Sequence, residues 1–438
     1  MSELSIQTIK RLLPDHCRKL VIGYSGGIDS HVLLHLCASQ PEIKSKVVAV
    51  YIHHGLQSAA GDWGEHCRQQ CLNLGVDFKL IEINAGAMPG ESPEAAARNA
   101  RYSALQALLE PEDVLLLAQH REDQMETVLL QLFRGSGIQG LAAMPVCAKF
   151  GRGLMLRPLL DVAKEDIQRY ANQHALHWIE DPSNQSCDFD RNYLRNQVVP
   201  LLKQRWPSLD KTVARSARHC GDAAQLLNDR AGRELEAIID PLDRSLSISA
   251  WSQFDQRQGN WLLRQWLQMF GLNPPSQAIL KAIVEQLIHA KDTANPQIFT
   301  QGSYIRKYRQ KLFCIPSGYF CKELDVRHWD QCDVALEMMN GYKLTRIESS
   351  VGINKRLWDT QVVTVGNRSG GEQIKLPGRA GHHCLKKLYQ EAVIPPWDRD
   401  LRPLVYLNGR LAAVAGLWVA EWAWSQKQGD CYRLLWQP

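Results

Sequence analysis

The chain has 438 residues, 45% of them hydrophobic, and a formal net charge of +5; that length exceeds one typical core and points to two or three domains. Met1 to Arg18 carry charges and no long apolar run, and the apolar stretch Leu411 to Trp424 is short and contains Glu421, so neither a signal peptide nor a membrane span is expected. Twelve scattered cysteines form no Cys-x-x-Cys, which counts against zinc-ribbon, thioredoxin-like and many iron–sulfur proteins and fits a cytoplasmic location.

Residues 18–180 alternate apolar runs with helical patterns. Strands are expected at Leu20–Tyr24, Val47–His53, Phe78–Ile83 and Val114–His120, with helices near 28–40, 61–74, 93–109 and 122–134. This alternation predicts an α/β unit with a parallel sheet covered on both faces. Ligands of such sheets bind at the carboxyl ends of the strands. From about Pro207 to Gly271 the pattern is helical, with Trp251, Trp261, Leu262 and Trp266 as its core. Residues 274–340 mix a helix, Ser276 to His289, with short strands around Gln297 to Ile315. From about Gly341 short strands alternate with glycine turns, an α+β pattern. Asn408-Gly409 there signals a hairpin with a type I′ turn. Residues 341–438 hold 14 Lys/Arg against 8 Asp/Glu. The positive excess is therefore all in the last quarter, which suits either a surface that meets a polyanion or a mildly basic surface with no partner.

The first strand runs into Ser25-Gly26-Gly27-Ile28-Asp29-Ser30 and then a helix. Gly26 and Gly27 allow a tight turn and close approach to a ligand. The following helix points free N–H groups into that turn. Ser25 and Ser30 add hydroxyls, and Asp29 could hold a metal on bound phosphates. No Walker A lysine follows the glycines anywhere in the chain. The turn is a phosphate cradle for a different kind of ATP chemistry.

Other groups gather at the expected strand ends. His53 and His54 close the second strand. Ser92-Pro93 starts a helix bearing Arg98 and Arg101 on one face; the pair serves either phosphate charge or a solvated face. Asp123 and Glu126 lie three apart in the first turn of the fourth helix. Such carboxylates hold Mg²⁺ or an ammonium group, or complement the helix dipole. Met125, Val128, Leu129, Leu132 and Phe133 form an apolar stripe expected in the core. Arg134-Gly135-Ser136-Gly137 makes a basic turn. Glu180 to Asn184 and Phe189 to Asn196, with Arg191, suit RNA or an ordinary helix start.

Ser25–Ser30 resembles the PP-loop of the ATP pyrophosphatases. With His54-Gly55-Leu56, Glu94 to Tyr102, Ala118 to Leu141, Arg157-Pro158-Leu159, Glu180–Asn184 and Arg191 to Leu201, in that order, the chain resembles the tRNA(Ile)-lysidine synthetase family. Arg368-Ser369-Gly370-Gly371-Glu372, Lys386-Lys387 and Pro395-Pro396-Trp397 are similar to that family's last domain. Tyr51 and His53 depart from its usual residues. The resemblance implies a PP-loop catalytic domain over 1–215, a mostly helical middle domain over 216–340 and a basic tRNA-binding domain over 341–438. It implies activation of C2 of the wobble cytidine of a CAU-anticodon isoleucine tRNA by ATP, then displacement of AMP by the ε-amine of lysine. It also allows a homodimer. Carried over, Ser25, Gly26, Gly27, Ile28, Asp29 and Ser30 bind ATP. Asp29 and Asp123 are candidates for Mg²⁺, Asp123 and Glu126 for the lysine, and Arg101 and Arg191 for phosphate or activated cytosine.

The rivals are a tRNA-thiolating PP-loop enzyme, which commonly uses paired cysteines, an amidating ligase, which needs an ammonia source, and a non-enzymatic RNA-binding module. The missing cysteine motif, the basic last quarter and the intact cradle weigh against each in turn.

Overall fold

A computed structural model describes residues 4–53, 60–83, 93–290, 296–320, 326–337, 343–427 and 429–437. The chain divides into two compact units, Met1–Asp229 and Arg230–Pro438.

The first unit is built on six strands. They are β1 (Lys19–Gly23), β2 (Val47–His53), β3 (Asp77–Glu82), β4 (Asp113–Leu116), β5 (Cys147–Phe150) and β6 (Gly153–Leu156). Their order is β3-β2-β1-β4-β6-β5. All neighbours pair in parallel except the β5–β6 hairpin. The intervening helices are α1 (Ile28–Ala38), α2 (Ala60–Leu74), α3 (Pro93–Ala107), α4 (Arg121–Phe133) and α5 (Lys164–Gln173). Along β1, Leu20 and Ile22 face one core while Val21 faces another. The sheet is therefore buried on both sides, which is why its strands read as continuous apolar runs. Strand order reverses between β1 and β4, so the crevice for a ligand opens at their carboxyl ends. Arg18 fixes that junction: its Nε and Nη2 donate to the buried Asp113 carboxylate at 3.0 and 2.9 Å, beside the Lys19–Asp113 register pair.

Three expectations are corrected here. β4 ends at Leu116, so Leu117 to His120 form the loop entering α4 rather than strand. The short β5–β6 hairpin joins a sheet expected to be all parallel. The stripe on α4 is core only for its first turns. Met125 and Val128 are buried, whereas Leu132 and Phe133 are 54% and 67% exposed, because the helix runs past the edge of the packed layer and ends in the exposed turn Arg134–Gly135.

In the second unit, Leu262, Leu263, Trp266 and Leu267 of the helix Gln256–Gln268 form a core with Leu246, Ile305 and Leu312 from strands. Trp251 and Leu262 join it and Trp261 packs against it, so the expected aromatic core forms with a sheet as one wall. Asp255 caps the helix by accepting from the Arg257 and Gln258 amides. Ser276 caps Gln277–Ala282, which continues as a π-helical turn, Ile283–Ile288. Two antiparallel five-stranded sheets follow, within 327–437. Asn408 and Gly409 have φ of 47° and 77°, the two positive values of the expected turn between Leu404–Leu407 and Arg410–Val414. Among the described residues no helix is long and apolar enough to cross a membrane.

Candidate active site

The cradle forms where β1 meets α1. Gly26 has φ +82°, and a Cβ there would lie 2.8 Å from Ile179 Cδ1 and 2.9 Å from Cys67 Sγ. Only glycine fits both the dihedral and the space. Ile179 donates its amide to the Gly26 carbonyl at 2.9 Å. Ser30 Oγ donates to the Gly27 carbonyl at 2.9 Å and accepts from the Ser25 amide at 3.2 Å. Gly27, the N-cap of α1, is extended, and no side chain caps the helix. The first amides of α1 are thus left for an anion. Behind the turn, Tyr24 and His31 are buried, with Tyr24 Oη and His31 Nδ1 2.7 Å apart.

The second wall starts at His120, the N-cap of α4. Asp123 folds back so that its Oδ2 accepts from the His120 amide at 3.0 Å. That bond tilts the Asp123 carboxylate towards the cradle. The His120 ring is 4% exposed and joins three carboxylates. Nδ1 is 3.1 Å from Glu122 Oε2, and Nε2 is 3.4 Å from Asp123 Oδ2 and 3.8 Å from Asp29 Oδ1. Burial works against a charged ring, but the Glu122 hydrogen bond and the Asp123 and Asp29 charges outweigh it and raise the imidazole above its ordinary value. Burial alone would raise Glu122, yet the bond from His120, the Lys164 amide and Lys203 hold it at about 2. Lys164 Nζ donates to Asp29 Oδ1 at 2.6 Å.

Glu126 stands one turn further along α4 and is 2% exposed. Arg195 donates to both of its oxygens, at 2.7 and 2.8 Å, and to Asp123 Oδ1 at 2.8 Å. Burial raises the Glu126 carboxyl even against this guanidinium. Arg191 Nη2 donates to Thr127 Oγ1 at 2.7 Å, and its Nε lies 3.5 Å from Glu126 Oε2.

A cavity of about 500 Å³ opens between these walls. Ser25, Gly27, Asp29 and Ser30 line it from the cradle; Arg101, Asp123 and Arg191 line it from the other elements. Ile28 begins α1 and packs on the core instead, and Gly26 is buried beneath the turn. Glu126 does not reach the cavity wall; Arg195 does. His53 is half-buried at the end of β2 with its carbonyl taken by the Ile83 amide. His54, Gly55, Leu56 and Ser92, and the side chains of Glu94 and Asn184, lie outside the described residues. In the sequence His120 stands out only by its place at a strand's carboxyl end and Arg195 only as one basic residue of the stretch 189–196, while Lys164 carries no signal; the partners of Lys164 and Arg195 are distant in sequence.

Comparison with known proteins bears on what this cavity serves. A PP-loop domain family matches residues 1–202, a TilS substrate binding domain matches 246–313 and a TilS substrate C-terminal domain matches 363–436. The tRNA(Ile)-lysidine synthase of Methylococcus capsulatus is 38% identical over 411 residues, 93% of either chain. That of Coxiella burnetii is 38% identical over 417 residues, 92% of either chain. The chain belongs to the tRNA(Ile)-lysidine synthase family. The family's PP-loop domain coincides with the sheet that carries the cradle, and its two substrate domains fall within the second unit. Among solved structures, the U34-tRNA thiolase NcsA of Methanococcus maripaludis aligns with a TM-score of 0.41 at 16% identity, over 49% of this chain and 77% of that one, too distant to bear on activity.

Proposed function

We propose that this chain joins free lysine to C2 of the wobble cytidine of the CAU-anticodon isoleucine tRNA, using ATP and releasing AMP and diphosphate. The observation that carries this reading is one cavity lined both by a phosphate cradle without a Walker A lysine and by Asp123 with Arg101, Arg191 and Arg195, in a chain of the lysidine synthase family. The α1 amides and the Ser25 and Ser30 hydroxyls bind the β and γ phosphates. Arg101 and Arg191 flank the α phosphate, where the cytidine O2 attacks and diphosphate leaves. The lysine ε-amine then attacks C2, and the former O2 departs on AMP. Asp123 orients the ammonium and takes its proton, the role for which a cavity-lining carboxylate is suited. No protein nucleophile is needed.

Asp29 and Asp123 fit Mg²⁺: both line the cavity, bridged by the His120 ring, and Mg²⁺ is usually held by one or two carboxylates plus substrate phosphates. Among the described residues no cluster of three or more His, Cys, Asp or Glu side chains forms a metal cage. The ion would supply charge neutralisation on the departing diphosphate. Thiolation is disfavoured by Cys67, which lies against Gly26 of the cradle and is buried and pushed up to about 12 by burial and Cys71; sulfur transfer needs a thiolate. The division into 1–215, 216–340 and 341–438, with tRNA on the basic last part in the cytoplasm, belongs to the same proposal.

The test is incubation with ATP, Mg²⁺, radiolabelled lysine and the tRNA transcript. Label entering tRNA in step with AMP release is expected. Lysine-dependent AMP release with unlabelled tRNA would sink the proposal.

A further inference from the structure

We infer that Arg195 occupies the ammonium subsite and keeps lysine out until a nucleotide draws it away. This rests on the reading above, in which Asp123 receives the lysine ammonium, extended to Glu126, which shares the Arg195 guanidinium with it.

The pair is already filled. The Arg195 guanidinium spans Asp123 Oδ1 at 2.8 Å and both oxygens of Glu126 at 2.7 and 2.8 Å. Arg191 adds a second positive charge 3.5 Å from Glu126. Two carboxylates facing two guanidinium groups leave no net charge for an incoming ammonium. Glu126 is also buried behind Arg195, so a ligand entering the cavity meets the guanidinium first. Lysine binding to the pair therefore requires Arg195 to move.

Arg195 has both a place to go and a means of moving. It lines the same cavity as Asp29 and the Ser25–Ser30 cradle, so a triphosphate held in that cradle would share the cavity with it. Guanidinium groups bind phosphate in the same two-pronged way as carboxylate. It sits in a π-helical turn, Leu194–Val198, between the α-helical turns Asp190–Tyr193 and Val199–Arg205. Such turns recur at functional sites, since rewinding one of them re-aims its side chains. A triphosphate that binds the released arginine better than the latched one shifts the balance towards an open pair. Apparent lysine affinity then rises by the inverse of the open fraction. Binding becomes ordered, ATP first, and the amine is admitted only once a nucleotide is in place.

Equilibrium dialysis of radiolabelled lysine against the full chain, with and without Mg²⁺ and α,β-methylene-ATP, tests this. In the wild type the analogue should tighten lysine binding at least about tenfold. Arg195→Gln should bind lysine at that tightened level without any nucleotide, and the analogue should add nothing. Arg195→Lys, which keeps the charge but cannot span the pair, should fall between. If neither Arg195 variant binds lysine better than the nucleotide-free wild type, the latch is overturned. Asp123→Asn, measured with the analogue, separates the two ideas. Weakened lysine binding in that variant upholds the carboxylate subsite, so that a failure of the Arg195 variants then refutes only the latch. Unchanged binding refutes the subsite and the latch together.

Discussion

His31 makes the nucleotide-binding unit sensitive to acid. The ring is 2% exposed beneath the cradle, with its Nδ1 2.7 Å from the Tyr24 hydroxyl. Burial, with His35, His66 and His177 as neighbouring positive charges when protonated, pushes its pKa down from 6.5 to about 4. A base whose folded pKa lies below its unfolded value is protonated more readily in the unfolded chain. Its contribution to stability is therefore intact at neutral pH, declines as pH falls through 6.5, and levels off below about 4. Between pH 7.5 and 5 this one ring removes about 2 kcal/mol, from 1.36 kcal/mol per pKa unit. For a unit of this size that is a melting-temperature drop of about 4–8 °C. The assay is urea unfolding at both pH values for the wild type and for His31→Asn, which keeps an acceptor for Tyr24 but cannot titrate. Other groups, His35 among them, titrate in both proteins and cancel in the double difference. The pH-linked loss should be smaller in the variant by about 2 kcal/mol. Equal pH dependence in the two proteins would refute the reasoning, since it would mean that the ring is as easily protonated folded as unfolded.

Three further outcomes are expected. Gly26→Ala meets both a left-handed φ and the Ile179 and Cys67 side chains; it should cost about 1–2 kcal/mol in the turn and weaken ATP binding about tenfold or more in calorimetry, so wild-type affinity would contradict the packing. Asp123→Ala should abolish lysine incorporation into tRNA while costing only about 1 kcal/mol through the lost cap on the His120 amide; unaltered turnover, or a lost circular-dichroism signal, would count against the assignment. Arg18→Ala leaves the buried Asp113 carboxylate with the Glu110 amide as its remaining hydrogen bond, and chemical unfolding should show a loss of about 1–3 kcal/mol, with no change meaning that the pair does not anchor β1 to β4.

The parts of the molecule legible in the sequence are those set by local chemistry. The Ser25–Ser30 turn, the first three strands and the Asn408-Gly409 hairpin depend on residues next to one another. The β5–β6 hairpin escaped because Cys147–Phe150 and Gly153–Leu156 are each four residues long and too short to show a period. Leu132 and Phe133 carried the right spacing for a core, but spacing does not reveal where a packed layer ends. In the site, Asp29, Arg101, Asp123 and Arg191 come together on one cavity. What sequence could not show is how the charges pair. Lys164 reaches Asp29 and Arg195 reaches Glu126 across long stretches of chain, and no motif spans that distance.

Ile179 contributes only an amide and a methyl group to the nucleotide site, yet it braces the loop from below: its N–H holds the Gly26 carbonyl and its Cδ1 fills the space under Gly26. With Ser30 tied to Gly27 and Ser25, the turn is preorganised without ligand. Ordering a backbone residue costs about 1–2 kcal/mol in lost conformational entropy, and for this turn that cost is met when the chain folds. A residue after α5, with no charge to offer a phosphate, thereby sets how much of the contact energy with ATP remains to drive the reaction.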